Sequence, residues 1–168
     1  MRILALSFLP GFGFSAASAT LVGQGLGAGD PAFSRKAGWE ATRMSIVLMT
    51  AMGLLFIIFA HWIAALFIDD KTVIAYTVQF MYALAAAQPL MAIDWTITGA
   101  LRGAGDSRFP LYGSLAGFYG MRLFLTIIIW SHGASINYIW WSLLADYVVR
   151  STIKVYRFQS AHWETIEV

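Results

Sequence analysis

Apolar positions along this chain fall into five blocks, residues 3–28, 44–68, 73–101, 110–130 and 136–153, separated by short polar stretches. At about 1.5 Å of rise per residue, each block can cross a hydrocarbon core of roughly 30 Å as a helix, the longest of them tilted or kinked. Strands are not an alternative. Lipid admits only helices or closed barrels, and barrel strands alternate polar and apolar residues over about ten positions. Stretches such as 53–60 and 123–130 do not alternate. The pattern predicts an all-α protein, a polytopic membrane helix bundle of five transmembrane helices followed by a tail at 154–168.

Composition removes the competing classes. Of 168 residues, 59% are hydrophobic and 12% charged, and the mean hydropathy is +0.67. A soluble domain carries about 25% charged residues, so this chain has too little charge to cover a water-soluble globule. Its 15% aromatic content excludes a disordered chain. There is no cysteine, which removes disulfides, zinc ribbons and thiol nucleophiles. The start has a basic residue, Arg2, and a small-residue stretch at 15–19, but Pro10, Gly11 and Gly13 interrupt the apolar core that a secretory signal needs.

The basic residues orient the bundle. Loops 29–43 and 102–109 and the C-terminal end carry Arg35, Lys36, Arg43, Arg102, Arg108, Arg150, Lys154 and Arg157; the other side carries Arg2 and Lys71. This asymmetry predicts that the first group and the C-terminus are cytoplasmic and that the N-terminus is outside, in a bacterial inner (plasma) membrane. Trp62, Tyr138, Trp140 and Trp141 then fall toward the outer interface. An odd helix count with an external N-terminus is expected of a chain that has lost its front.

Several residues carry candidate chemistry. Asp94 is a carboxylate inside the third block, eight residues before Arg102, or about 12 Å of helix from that end. Pro89 precedes it and predicts a kink, because proline frees the carbonyl of Ala85. That carbonyl, Gln88 and Asp94 make an oxygen-rich candidate site for proton or cation coupling, with Na⁺ as the metal it would take. The competing reading is a salt bridge from Asp94 to a neighbouring helix. Arg122 and Asp146 lie at similar depths in the fourth and fifth blocks, and the spacing predicts either an ion pair across that hairpin or a coupling role. Asp146 and Arg150 are also spaced i, i+4. His61 is expected to be a packed or interfacial neutral side chain rather than a relay. Small residues at helical spacing, Gly11, Ser15 and Ser18, predict close helix contact. The glycine cluster at 23–29 follows no strand and lacks a Gly-Lys-Ser/Thr ending, so it is not a nucleotide loop. A short echo links Gly27-Ala28-Gly29-Asp30 to Gly103-Ala104-Gly105-Asp106, both at the basic side. No catalytic constellation and no nucleic-acid-binding face is present, so neither an enzyme nor an organic cofactor is expected.

The stretch 9–31, LPGFGFSAASATLVGQGLGAGDP, resembles a helix of the multidrug and toxic compound extrusion (MATE) transporters. Gln88-Pro-Leu-Met-Ala92 and the motif from Gly99 to Pro110, including Arg102, Gly103, Gly105 and Asp106, are similar to that family's tenth helix and following loop. Arg122, Asp146-Tyr-Val-Val-Arg150, Arg157-Phe158 and Trp163 are similar to its eleventh and twelfth helices. The resemblance implies part of a six-helix lobe, helices eight to twelve of a twelve-helix exporter that exchanges Na⁺ or H⁺ for organic, often cationic, compounds by alternating access. Asp94 is the nearest match to a tenth-helix acid of the cation site, one turn closer to the Gly-Ala-Leu-Arg motif. The expected partners are the lipid bilayer, small organic substrates and an N-terminal lobe not present in this sequence, with no nucleic acid. Two other readings compete: a flippase for lipid-linked sugars, which would need a large cationic cavity, and a non-transporting membrane remnant or interaction protein.

Overall fold

A computed structural model describes residues 2–67, 69–131 and 136–165, with side chains for 7–67, 69–131 and 139–163. The elements are α1 (Arg2–Gly27), α2 (Pro31–Ala65), α3 (Lys71–Gly103), α4 (Arg108–Leu115), a π-helical stretch (Ala116–Leu123), α5 (Phe124–Ser131), α6 (Ile136–Gln159) and a 3₁₀ turn (His162–Thr165). The π-helical stretch joins α4 and α5 into one rod over Arg108–Ser131, so the described residues form five rods and no strand. Three of them, Pro31–Ala65, Lys71–Gly103 and Arg108–Ser131, are long and apolar enough to cross a membrane. The loop expected at 131–135 lies outside the described residues apart from Ser131, as does the side chain of Tyr138.

Two helices run further than the apolar blocks. The stretch 29–43, expected as a loop, is helical from Pro31 onward. Pro31 needs no backbone partner in the first turn, and the Asp30 carboxylate accepts from Phe33 N at 2.8 Å. Ser34, Gly38 and Thr42 are buried on its inner face. The fifth helix likewise continues to Gln159. The tail expected at 154–168 is therefore packed through its described part. Trp163 is fully buried, stacks on Phe158 with ring centroids 4.9 Å apart, and donates Nε1–H to the Phe158 carbonyl at 2.8 Å. Trp39 meets Phe158 edge-on, and Val22, Ile97 and Leu101 complete this cluster.

The sequence echo is one turn geometry used twice. Gly29 and Gly105 have φ of +72° and +83°, a left-handed conformation that only glycine adopts without strain. Asp30 N donates to Gly25 O and Asp106 N to Leu101 O, each at 2.9 Å, the six-residue closure of a Schellman turn. Each aspartate side chain then accepts a backbone N–H three residues on, Asp30 from Phe33 and Asp106 from Phe109.

α3 is the central helix and packs on α1, α2 and α6. Its contact with α1 is a seam of small residues one turn apart. Gly99 sits against the Ser15 carbonyl and Gly103 against the Ala19 carbonyl, while Gly23 approaches the Gly103 carbonyl. Above them Gly11 lies under the Trp95 ring. Without Cβ atoms on α3 the two backbones touch, the geometry of small-xxx-small helix pairs in lipid. Gly11 and Ser15 take part as expected, while Ser18 is buried. The outer face of α2 carries Arg35, Lys36, Glu40 and Arg43 in its first turns and is largely apolar beyond them, with Val47, Ile58 and Trp62 exposed.

Candidate functional site

The site is built where α3, α4 and α6 meet. Asp94 lies two turns from the Arg102 end of α3 and its side chain is 8% exposed. The Lys154 ammonium, 1% exposed, donates to Asp94 Oδ1 at 2.5 Å and to Ser114 Oγ at 3.1 Å. Thr98 Oγ donates to the Asp94 carbonyl at 2.6 Å and fixes the helix locally. The pair borders a cavity of about 210 Å³. Phe12 and Trp95 meet edge-on in its wall, 4.3 Å between centroids, and Arg102 and Arg150 also line it.

Of the two readings open for Asp94, the structure forms the ion pair, with a partner that the charge count had placed in the tail. A signal for it was present. Asp146, Arg150 and Lys154 recur every four residues, which sets them in one stripe along α6. A free tail has no such constraint.

The three-oxygen site expected around Pro89 does not assemble. Pro89 leaves the Ala85 carbonyl free, but that carbonyl faces Gly53 of α2, where a Cβ would stand 2.9 Å away. Gln88 is fully buried, donates Nε2–H to Ser7 Oγ on α1, and leaves its Oε1 without a hydrogen bond. Asp94 is six residues further on, about 9 Å along the axis and turned by about 240°. Gln88 therefore looks toward α1 and α2, and Asp94 toward α4 and α6.

The Arg122–Asp146 bridge expected across the hairpin does not form either. Arg150 takes the place, its Nε 3.3 Å from Asp146 Oδ1. The reason is local. Gly117, in the π-helical stretch, has no Cβ and lets Asp146 and the Arg150 stem pack against its backbone. Arg122, one π turn later, lies over the Phe118 ring at 5.8 Å instead. Asp146 is 1% exposed, and neither of its carboxylate oxygens receives a hydrogen bond.

The remaining motif residues lie in helix contacts, in the turn or at the edge of the cavity. Gly99 and Gly103 make the α1–α3 seam, and Gly105 the turn. Asp106 accepts from Phe109 N at 3.3 Å and binds Arg157 Nε at 2.8 Å, which ties α6 to the α3–α4 turn. Arg157 also lies over the Phe109 ring at 4.9 Å. Arg102 is exposed at the cavity mouth. His61 is exposed on the apolar face of α2, beside Trp62.

What this arrangement can do is hold two buried acid–base pairs, Asp94–Lys154 and Asp146–Arg150, along one face of α6. The two carboxylates and the Lys154 ammonium are nearly inaccessible, while Arg150 is 19% exposed and borders the cavity. Comparison with known proteins gives the site its context. The family model MatE matches residues 1–128. A probable multidrug resistance protein NorM of Thermotoga maritima is 27% identical over 165 residues, which covers 98% of this chain and 36% of that protein. One from Rhodopseudomonas palustris is 30% identical over 163 residues, covering 94% and 34%. A multidrug resistance protein NorM of Burkholderia vietnamiensis is 27% identical over 164 residues, covering 94% and 36%. The chain thus spans about a third of the length of these relatives. With five helical rods, a Gly-Ala-Leu-Arg-Gly seam and a family-model match over most of its residues, the chain belongs to the MatE (MATE) family.

Proposed function

We propose that this chain supplies helices eight to twelve of a cation-coupled multidrug exporter, an antiporter in the bacterial inner membrane with its C-terminus cytoplasmic, and that it transports rather than catalyses. The observation that carries this reading is the coincidence of near-complete coverage by the multidrug resistance relatives with a buried charge site on the central helix. An ionisable pair inside a span is costly and marks ion pathways in transporters. Alternating access needs two lobes rocking about a site between them. The Asp94 cavity, walled by aromatics and charges, is suited to face such a partner lobe. The coupling ion is Na⁺ or H⁺, exchanged for small organic compounds.

The test is ethidium efflux from cells lacking their own exporters. Co-expression of this chain with an N-terminal MATE lobe should lower ethidium accumulation, whereas this chain alone should not. Efflux by the 168-residue chain alone would overturn the two-lobe reading. The flippase reading is not favoured. Arg102, Arg150 and Lys154 do converge, but on a cavity of about 210 Å³ in which Lys154 is already neutralised by Asp94.

A further inference from the structure

The family resemblance implies a cation at Asp94, and the surroundings of that carboxylate decide whether Na⁺ fits there. Hard cations are held by several oxygens converging on one point. Asp94 meets nitrogen instead. Lys154 Nζ stands 2.5 Å from its Oδ1, with Arg102 and Arg150 on the same cavity. Ser15 also lines the cavity, and two further hydroxyls already hydrogen-bond nearby. Thr98 Oγ donates to the Asp94 carbonyl, and Ser114 Oγ donates to the Pro110 carbonyl while accepting from Lys154. Gln88 faces α1. Among the described residues, no three His, Cys, Asp or Glu side chains converge. The residues at Asp94 do not fit Na⁺.

We infer that Lys154 is a resident cation, tethered to α6, that occupies Asp94 and closes this carboxylate to inorganic cations. The ammonium carries the same charge as Na⁺. It is held in place by its own chain, so it competes at an effective concentration on the order of mM or higher however little salt is present. A Na⁺ ion could enter only by expelling Lys154, which would leave a buried ammonium without a counter-ion. The second hydrogen bond, to Ser114 Oγ, further fixes the head. Coupling at this position then proceeds by movement of Lys154 or through another acid. Asp146 is a buried carboxylate whose oxygens receive no hydrogen bond. The inference deepens the exporter reading by naming what the site excludes, and its test does not depend on export.

The experiment is a Na⁺ titration of the purified chain in dodecylmaltoside micelles, read by the sodium NMR linewidth with choline as the balancing cation. Wild type, Asp94→Asn, Lys154→Met, Lys154→Gln and the double variant Asp94→Asn/Lys154→Met are compared, with far-UV circular dichroism reporting the fold. The expected result is the same linewidth response for wild type and Asp94→Asn. Lys154→Met or Lys154→Gln should gain a saturable response that the double variant lacks. Wild-type broadening that disappears in Asp94→Asn would overturn the inference. So would the absence of any gain in folded Lys154→Met and Lys154→Gln. Failure of ethidium efflux with these titrations unchanged would count against the exporter reading alone.

Discussion

The α1–α3 seam makes the sharpest prediction, because two glycine-to-alanine changes should have opposite signs. At Gly99 a Cβ would fall on the Ser15 carbonyl oxygen and crowd the carbonyl carbon and Cα behind it. These are backbone atoms, so no rotamer change relieves the overlap. Carbon and oxygen settle at about 3.3–3.6 Å, so the crossing must widen by about 1 Å or more. Widening also loosens Gly103 on Ala19 and Gly11 under Trp95. Overpacking costs about 1–3 kcal/mol, and the lost contacts add to that. Alanine returns up to about 1 kcal/mol through helix propensity. The net expectation for Gly99→Ala is a loss of about 2 kcal/mol, more than a tenfold shift in the folding equilibrium. At Gly13, on the same helix, nothing lies within 4 Å of a new Cβ. Gly13→Ala should therefore gain up to about 1 kcal/mol. The assay is unfolding in mixed micelles of dodecylmaltoside with increasing SDS, followed by far-UV circular dichroism. A Gly99→Ala protein that unfolds at the wild-type SDS fraction, or a Gly13→Ala protein less stable than Gly99→Ala, would refute the seam.

Three further outcomes follow from the buried charges and caps. Asp94→Asn or Lys154→Met alone should destabilise by about 3–5 kcal/mol by leaving a buried charge unpaired, and the double variant should recover much of that, which a double-mutant cycle in the same SDS assay measures. Trp163→Ala should cost about 3–5 kcal/mol and expose Phe158, because it removes a fully buried ring from the charged end of the bundle; equal stability would mean that the turn does not seal the core. Asp70 caps α3 outside the membrane-spanning segments, and the Val73 and Thr72 N–H groups hold its carboxyl below the usual range. A lowered folded pKa gives stability that is present above the ordinary carboxylate pKa of about 3.9 and lost as pH falls through the folded value. Acid unfolding of Asp70→Asn should therefore show a shallower pH dependence than wild type below about pH 4, and an identical profile would show that the cap is not linked to folding.

Much of the site was legible along the chain, but not its pairing. Asp94 stood out because a carboxylate in an apolar block has few explanations. Lys154 did not, because a lysine after an apolar block reads as a loop charge, and only the four-residue spacing from Asp146 and Arg150 hints that the helix continues. Gln88 and Asp94 read as neighbours because they are close in sequence on one helix. Six residues of helix turn them to different partners, and α1 and α6 supply those partners. Arg122 and Asp146 matched in depth, yet the π-helical stretch and Gly117 gave Asp146 to Arg150.

The sequence by itself determined the class of protein and its turns. Five apolar blocks with 12% charge leave only helices in lipid. The repeated Gly-Ala-Gly-Asp determines two helix C-termini that are alike, because the left-handed residue must be glycine, and the aspartate that follows accepts a backbone N–H three residues on. Tertiary structure alone decided which charge meets which. Inside a bundle an ion pair depends on the rotation of each helix about its axis. For α3, backbone contact with α1 at Gly99 and Gly103 constrains that rotation, while Lys154 reaches Asp94 from α6, sixty residues along the chain.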